Sequence, residues 1–401
     1  MERSWTQPVS VGIVAAVVGV TSSFAVVLAG LQAAGADPAQ AASGLVVLTL
    51  LQGAGTVWLS RRFRRPITIA WSTPGAALLA STGAVAGGWP AVVGAFLVTG
   101  VLIVLTGLWG RLGRLVGAIP APLAQAMLAG VLLPLCLEPV RALAEQPLLV
   151  APIVVVWVAL QRFAPRWASP AAFALALVIV LVTAGGTDWL RLPVVTVTVP
   201  ELSPAAVIGV ALPLYVVTMA SQNVPGVAVL SAAGYPTPWR HAMVLTGAGT
   251  VLGGPAGAHA VNLAAITAAL PASAEAHPDP DRRWIAAQAA GWTHLLLAPA
   301  ATTLAALVAA APAGVIESVA GLALFGTFAS ALSSALSSAP STTAADPVAR
   351  IPAAATFLCA ASGLAIAGIG GAFWGLVAGV ALHLVLRPRS TVGPGSDRVR
   401  G

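Results

Sequence analysis

Long apolar stretches with almost no charge recur along this sequence from Val9 onward, and they limit its fold more than any other feature. Charged residues make up 8% of the 401 residues and hydrophobic residues 58%, whereas a soluble domain has roughly 25% charged residues. Lipid cannot satisfy open backbone groups, so each crossing needs a helix of about 20 apolar residues. The sequence therefore predicts an all-α polytopic membrane protein, and its length leaves no room for a separate soluble domain.

The apolar stretches divide into 14 predicted spans. The stretch that begins near Val9 has no processing site, so we interpret it as the first span and not as a cleaved signal. The third and tenth spans are short and interrupted by small or proline-containing sequence. The spans lie near 9–30, 42–60, 67–86, 90–110, 118–138, 147–164, 169–185, 204–223, 237–255, 257–271, 283–307, 313–336, 351–368 and 370–387.

The basic residues predict the orientation of these spans. The chain carries 19 basic residues, all arginine, and a net charge of +7. With the N-terminus inside, 17 of the 19 fall on the inner side, and only Arg141 and Arg191 fall outside. This bias follows the positive-inside rule. It predicts cytoplasmic N- and C-termini, with 389–401 as a cytoplasmic tail, in a bacterial inner membrane. The charge therefore reflects topology and not a nucleic-acid partner.

An internal repeat relates the two halves of the chain. The segment 22–35 (SSFAVVLAGLQAAG) matches 221–234 (SQNVPGVAVLSAAG) at an offset of 199 positions, and 127–133 echoes 318–324 at an offset of 191. Such an offset covers seven spans, and an odd number forces the second repeat to be inverted. Inverted repeats with broken helices at matching positions are typical of secondary transporters. We therefore predict about 14 transmembrane segments as a 7+7 inverted repeat, with short broken third and tenth spans.

The third span carries a helix-start signal in mid-sequence. Its sequence, PITIAWSTPGAALL over 66–79, runs from a β-rich stretch into Ser72, Thr73, Pro74 and Gly75. Serine or threonine before a proline at the first helical position is a strong N-terminal signal. At mid-membrane depth, such a start directs free N–H groups and a positive dipole end into the protein, where an anion could bind. A kinked helix without a ligand is the alternative.

The tenth span has a matching polar segment, GAHAVNLAAITAAL over 257–270. We expect Asn262 to occupy the position that matches Ser72 and to cap a second half-helix. His259 lies three residues earlier. A histidine inside a span either makes helix contacts or marks a substrate or proton pathway, because polar residues there are costly.

The eighth span contains the polar cluster Thr218, Ser221, Gln222 and Asn223, followed by Pro225-Gly226. We expect the proline to end the span just after Asn223. Neutral amides suit the orientation of a ligand, and interhelical hydrogen bonding is the alternative.

Acidic residues are nearly absent from the predicted spans. Glu138 lies near a helix end, three residues before Arg141, so we expect an interfacial ion pair. Glu317 lies about one turn into its helix, where it either extends to the interface or takes part in proton coupling. The loop EAHPDPDRRW over 275–284 holds histidine and aspartates, but its prolines prevent helical ligand spacing. We expect a structured gate or capping loop there and no metal site.

These motifs resemble those of the BenE-type benzoate/proton symporter family. The resemblance rests on WSTPGAALL at 71–79, LPLYVVTMASQNVPGVAVL at 212–230, AHAVNLAAITAA at 258–269 and EAHPDPDRRW at 275–284, and it extends over nearly the whole chain. It implies the fold of uracil permeases and sulfate-type anion transporters. It also implies a core of 1–117 and 202–310 that moves against a gate of 118–201 and 311–388.

The resemblance further implies a ligand between the third and tenth spans, beside the eighth. We expect the ring of such a ligand to lie on an apolar wall that includes Phe24 and Trp71. Uracil permeases carry acids where this chain carries neutral amides, which favours an anion. The implied function is import of an aromatic carboxylate, benzoate, with a proton; the alternatives are another anion or a nucleobase. No enzyme, metal or cofactor is expected, and a homodimer is common in this fold. The expected substrate-binding residues are Ser72, Thr73, Gly75, Thr218, Gln222, Asn223, His259 and Asn262, with His259 and Glu317 as proton-coupling candidates.

Overall fold

The computed structural model describes residues 5–112, 119–184, 190–265, 267–337, 347–366 and 369–386. The predicted cytoplasmic tail 389–401 lies outside the described residues, as do Arg3 and Arg114 from the orientation argument.

The first seven predicted spans all correspond to observed elements. In chain order these are α1 (Thr6–Ala33), α2 (Pro38–Phe63), β1 (Ile69–Trp71), α3 (Thr73–Thr82), α4 (Gly88–Leu108), α5 (Ala121–Glu145), α6 (Pro147–Phe163) and α7 (Pro165–Thr183).

The second seven follow the same order. They are α8 (Pro204–Ala232), α9 (Trp239–Gly253), β2 (Val261–Leu263), α10 (Ala269–Ala272), α11 (Trp284–Leu297), α12 (Ala300–Ala309), α13 (Val315–Leu336), α14 (Pro347–Ala361), a hairpin of β3 (Ala365–Ile366) and β4 (Ile369–Gly370), and α15 (Gly371–Val385).

Within the described ranges, seven helices are long and apolar enough to cross a membrane, and the pair α11 and α12, bent by 60° at their junction, makes an eighth. Shorter apolar helices occupy three further spans. The third and tenth spans are each a short strand followed by a short helix, so the predicted broken spans are confirmed. The architecture is a 14-segment bundle of two inverted halves.

The eighth span differs from its prediction, because Pro225 does not end it. The helix α8 continues to Ala232 and contains two π-helical turns, Val207–Ala211 and Met219–Asn223. Each turn ends two residues before a proline. A proline lacks an N–H and clashes with the carbonyl four residues earlier, and a wider turn relieves that clash. The predicted break is therefore wrong, and a local widening takes its place.

Glycines mark where the two halves cross. On α4 and α9, a Cβ on Gly100 would lie 2.8 Å from the Gly247 carbonyl oxygen, and one on Gly247 would lie 2.6 Å from that of Gly100. Gly53 of α2 and Gly291 of α11 face each other in the same way, at 2.9 and 3.0 Å. An inverted repeat relates the second and fourth spans to the ninth and eleventh. The two crossings are therefore counterparts, and small residues let these backbones approach closely.

The loop 275–284 is structured and lies on an arginine-rich face. Its Arg283 donates to the carbonyls of His277 (2.8 Å) and Ala272 (3.1 Å). From other parts of the chain, Gln7 Nε2 donates to the Glu275 carbonyl (2.9 Å), and Arg166 lies 3.4 Å from the Glu275 carboxylate. The start of α1 and the start of α7 therefore meet this loop at one end of the bundle.

The predicted ion pair of Glu138 with Arg141 forms at 2.7 Å.

Candidate functional site

The two broken spans meet in the middle of the bundle as a two-stranded antiparallel sheet. In this sheet β1 pairs with β2, and Ala70 lies opposite Asn262. One further hydrogen bond closes each end: Ser72 N–H donates to the Ala260 carbonyl (3.0 Å), and Ala264 N–H donates to the Thr68 carbonyl (2.9 Å). Each half of the repeat thus contributes one strand to a shared central element.

The outward N–H groups of this sheet bond to side chains of neighbouring helices. Thr56 of α2 accepts the Ile69 N–H (2.8 Å), and Thr250 of α9 accepts the Val261 N–H (3.0 Å). These two bonds are counterparts in the inverted repeat. A buried N–H without a partner costs about 1–3 kcal/mol, so the two threonines hold the strands in place.

A second pair of amides completes the edges. Gln52 Oε1 accepts the Trp71 N–H (3.3 Å), and Asn223 Oδ1 accepts the Leu263 N–H (2.9 Å). The Asn223 amide nitrogen lies 3.2 Å from the sulfur of Met219. The side-chain oxygen of Asn223, a predicted substrate residue, thus already accepts a hydrogen bond from the backbone of β2. The π-helical turn places this side chain against β2.

The predicted cap at the start of α3 is present. Ser72 Oγ accepts the Gly75 N–H at 3.1 Å and lies 2.9 Å from Thr218 Oγ1 on α8. Two hydroxyls that share one hydrogen bond keep one O–H free, whichever of them donates. Pro74 has no N–H, so Thr73 supplies the remaining free N–H of this helix start. The half-helix therefore offers a hydroxyl and one N–H, a smaller set than a bare helix N-terminus.

The second half-helix departs from its prediction. Asn262 lies inside β2 opposite Ala70 and does not cap a helix. The hydrogen bond from Ala264 to Thr68 mirrors that from Ser72 to Ala260, so Ala264 occupies the position that matches Ser72. Alanine has no side-chain oxygen to cap a helix, and the described helix of this span, α10, has only four residues. The expectation of two equal facing helix starts is therefore wrong.

His259 lies beside the cap. Its Nε2 is 2.9 Å from the Ser72 carbonyl oxygen, which only accepts, so Nε2 carries the proton. In the neutral ring, Nδ1 then has a free lone pair, and it has no partner among the described residues. The side chain is fully buried, with its ring 6.4 Å from that of Phe96 in edge contact.

Several other buried polar atoms around the sheet lack partners. They include Gln52 Nε2, Ser221 Oγ and Asn262 Oδ1. Across the described ranges, no buried residue is Asp, Glu, Lys or Arg. A buried polar group without a partner is costly, and such groups are candidates for ligand contact. Sequence reasoning missed Gln52, although Gln52 and Thr56 stand one helical turn apart on α2.

The remaining predicted residues lie at different depths. Gln222 is buried on α8, and Thr73 is half-buried. In the predicted apolar wall, the Trp71 indole donates to Ser23 Oγ (2.8 Å), and the Phe24 ring lies 5.9 Å from that of Phe173. Glu317 lies apart from this cluster, in the lining of a cavity of about 390 Å³ at one end of the bundle. The structure thus brings Ser72, Gly75, Thr218, Asn223, His259 and Asn262 together around the sheet and the start of α3, whereas Glu317 lies apart.

Broken spans that meet at the centre of two inverted halves are the architecture typical of secondary transporters. The structure is similar to the transmembrane domain of BicA, a cyanobacterial bicarbonate transporter, with a TM-score of 0.57 and 15% identity over 94% of this chain and 98% of that one. This likeness shows that the two proteins share a fold.

Sequence comparison then gives the family. The chain matches the BenE family, benzoate membrane transport protein, over residues 4–385. It is 42% identical over 378 residues to the inner membrane protein YdcO of Escherichia coli, covering 94% of each protein. It is 30% identical over 345 residues to the benzoate membrane transport protein of Acinetobacter baylyi, covering 84% of each. The chain belongs to the benzoate membrane transport protein family.

Proposed function

We propose that this protein is a secondary active transporter that imports an aromatic carboxylate, benzoate, by proton symport across the bacterial inner membrane. Two relatives support this proposal by their names, one as a benzoate membrane transport protein and one as an inner membrane protein. The arginine bias along the sequence favours cytoplasmic termini. The homodimer stays a prediction.

The observation that carries the proposal is the hydroxyl pair of Ser72 and Thr218, 2.9 Å apart at the start of α3. Its uncommitted O–H, together with the free N–H of Thr73, can donate to a carboxylate at the positive end of a helix dipole. Trp71 directly precedes Ser72 and is buried, and the buried Phe24 follows Ser23, which accepts from the Trp71 indole. This arrangement suits a small anion with an aromatic body.

Neutral amides around the sheet argue against the nucleobase alternative. Recognition of a nucleobase edge by uracil-permease-like sites uses acids, and the described buried residues contain none. A carboxylate in this site would meet donors and no like charge. Another organic or inorganic anion fits the same donors, so the apolar wall is what favours benzoate over a small inorganic ion.

Proton symport suits the charge of the substrate. Moving one negative charge inward against the membrane potential costs about 2.3 kcal/mol per 100 mV, and a co-transported proton removes this cost. His259 is the first candidate for the carrier, because its Nδ1 is buried and unpartnered among the described residues, and its Nε2 donates to the carbonyl of the capping residue Ser72. Glu317 is the second candidate.

We further propose that transport moves a core of 1–117 and 202–310 against a gate of 118–201 and 311–388. The packing of α3 on α5 and of α1 on α13 would form the sliding surface. In the structure the central cluster is closed to solvent, with Ser72 and Thr218 both fully buried. Movement of the core against the gate would open it to alternate faces.

The test compares Thr218→Val, Ser72→Ala and the double variant for uptake of labelled benzoate into proteoliposomes. Loss of one hydrogen bond to a charged group costs about 1.5–3 kcal/mol, or about 10-fold or more in uptake. Because the two hydroxyls act as one unit, the double variant should lose little more than the worse single variant. Thr246→Val is the matched control, since Thr246 is buried and donates only to carbonyls of its own helix. Unchanged uptake by the double variant, at equal amounts of folded protein, would refute the site.

A further inference from the structure

A cavity of about 390 Å³ lies away from the central cluster, between α1, the end of α12 and the start of α13. Its volume is within the range of about 300–1,000 Å³ that is usual for small-molecule sites. The lining is apolar except for two side chains, Gln32 of α1 and Glu317 of α13. Both side chains are exposed, so the cavity is open to solvent.

The cavity is at the end of the bundle opposite the arginine-rich face. Gln7, near the start of α1, bonds to the loop on that face, whereas Gln32 is near the other end of the same helix. Ser23, which bonds to Trp71 in the central cluster, is nine residues from Gln32, or about 14 Å along the axis at about 1.5 Å per residue. Ala25 lines the inner part of the cavity, so its floor is close to the depth of the central site.

The two polar side chains define the chemistry of a ligand here. Glu317 is in the first turn of α13, where helix N–H groups favour a carboxylate. A carboxylate only accepts hydrogen bonds, while the Gln32 amide can donate. An anionic substrate would meet a like charge at Glu317, and a like charge disfavours the ionised form of a carboxyl group. An undissociated carboxylic acid avoids this conflict, because its O–H can donate to Glu317 and its carbonyl can accept from Gln32.

We propose that this cavity is an outer binding site for an undissociated monocarboxylic acid with a small apolar body, held between Glu317 and Gln32. This proposal rests on the proposed function. It extends that function, since a benzoate anion that binds here takes up one proton from solution. Proton and substrate would then enter the pathway together. The C–O and O–H bonds of the bound acid stay intact, and the proton is shared along one hydrogen bond with Glu317.

The other described charged groups at this end of the bundle lie outside the cavity lining. Asp37 caps α2 and accepts the Gln40 N–H (2.8 Å). On α5, which packs against α13, Glu138 pairs with Arg141, and Glu145 stands at the last residue of the helix. Of the described charged residues, Glu317 is the one that lines the cavity.

The experiment measures benzoate binding to the purified full chain by calorimetry in two buffers of different ionisation enthalpy. We expect Glu317→Gln, whose amide can donate directly to the anion, to take up about one proton fewer per benzoate than the wild type. Because the bound wild type holds that extra proton, its affinity should fall about 10-fold more per pH unit than that of the variant as pH rises. Glu138→Gln, a neutralisation at the same end of the bundle, should behave as wild type.

A second pair of variants tests the cavity without changing charge. Ala29→Trp would fill the cavity from its half-buried position on α1 and should abolish the Glu317-dependent proton uptake, while Ala39→Trp, exposed and outside the lining, should leave it intact. Unchanged proton uptake in both Glu317→Gln and Ala29→Trp overturns the outer site, and benzoate uptake into liposomes would then still support the transporter. Proton-linked binding that depends on Glu317, in a chain that transports no benzoate, supports the outer site and overturns the proposed function.

Discussion

Replacement of Thr250 by valine tests how the central sheet is held. The side chain is fully buried, and its Oγ1 accepts the Val261 N–H at 3.0 Å. Valine has nearly the same shape, so the change opens no cavity and removes only the hydroxyl. The Val261 N–H would be left buried without a partner, which costs about 1–3 kcal/mol. With an unfolding entropy of about 2.1 cal/mol/K per residue, that loss lowers the midpoint of a 401-residue chain by about 1–4 °C.

The assay is thermal unfolding of the purified protein in detergent. Thr250→Ser keeps the acceptor and should restore most of the midpoint, and Thr56→Val should match Thr250→Val because its hydroxyl does the same for Ile69. Thr246→Val provides the control one turn away on α9, since it bonds only to carbonyls of its own helix. If Thr250→Val and Thr246→Val shift the midpoint equally, the hydrogen bond from the Val261 N–H to the Thr250 hydroxyl does not stabilise the strand.

Two further changes probe the cluster itself. A Cβ on Gly75 would lie 2.5 Å from Leu214 Cδ1 and 2.8 Å from Ser72 Oγ, so Gly75→Ala should push α3 away from α8 and reduce benzoate uptake; full activity would show that this close approach is not needed. Gln52→Leu removes both the acceptor for Trp71 and an unpartnered amide, and Gln52→Glu keeps only the acceptor. If the free amide binds substrate, both variants should raise the KM for benzoate, whereas a purely structural role predicts recovery in Gln52→Glu.

Much of the fold follows from sequence because lipid imposes a length and a composition on each span. The apolar stretches predict the helices, and the Ser-Thr-Pro sequence predicts the start of α3 and the Ser72 cap, since both signals are local. Pro225 is also a local signal, but the helix break that it predicts is absent. A π-helical turn accommodates the proline, and that turn is favoured by tertiary contacts such as the hydrogen bond from the Leu263 N–H to Asn223 Oδ1.

The errors in the tenth span have a different cause. The register of β2 on β1 depends on pairing between residues about 190 positions apart, so the sequence alone could not show that Ala264, and not Asn262, matches Ser72. The same holds for Gln52, whose partner Trp71 lies on another element. Polar residues on an apolar helix are a readable signal of a buried role. Which atoms they meet depends on packing between distant segments.

Uptake of benzoate by the wild-type protein is the direct test of proton-coupled import. Labelled benzoate is followed into proteoliposomes with an inward proton gradient, without one, and after an ionophore collapses it. We predict saturable uptake that accumulates benzoate only while the gradient exists, and competition by other aromatic carboxylates but not by uracil. Uptake that does not depend on the gradient, or no uptake by correctly folded protein, would show that the protein does not import benzoate with a proton.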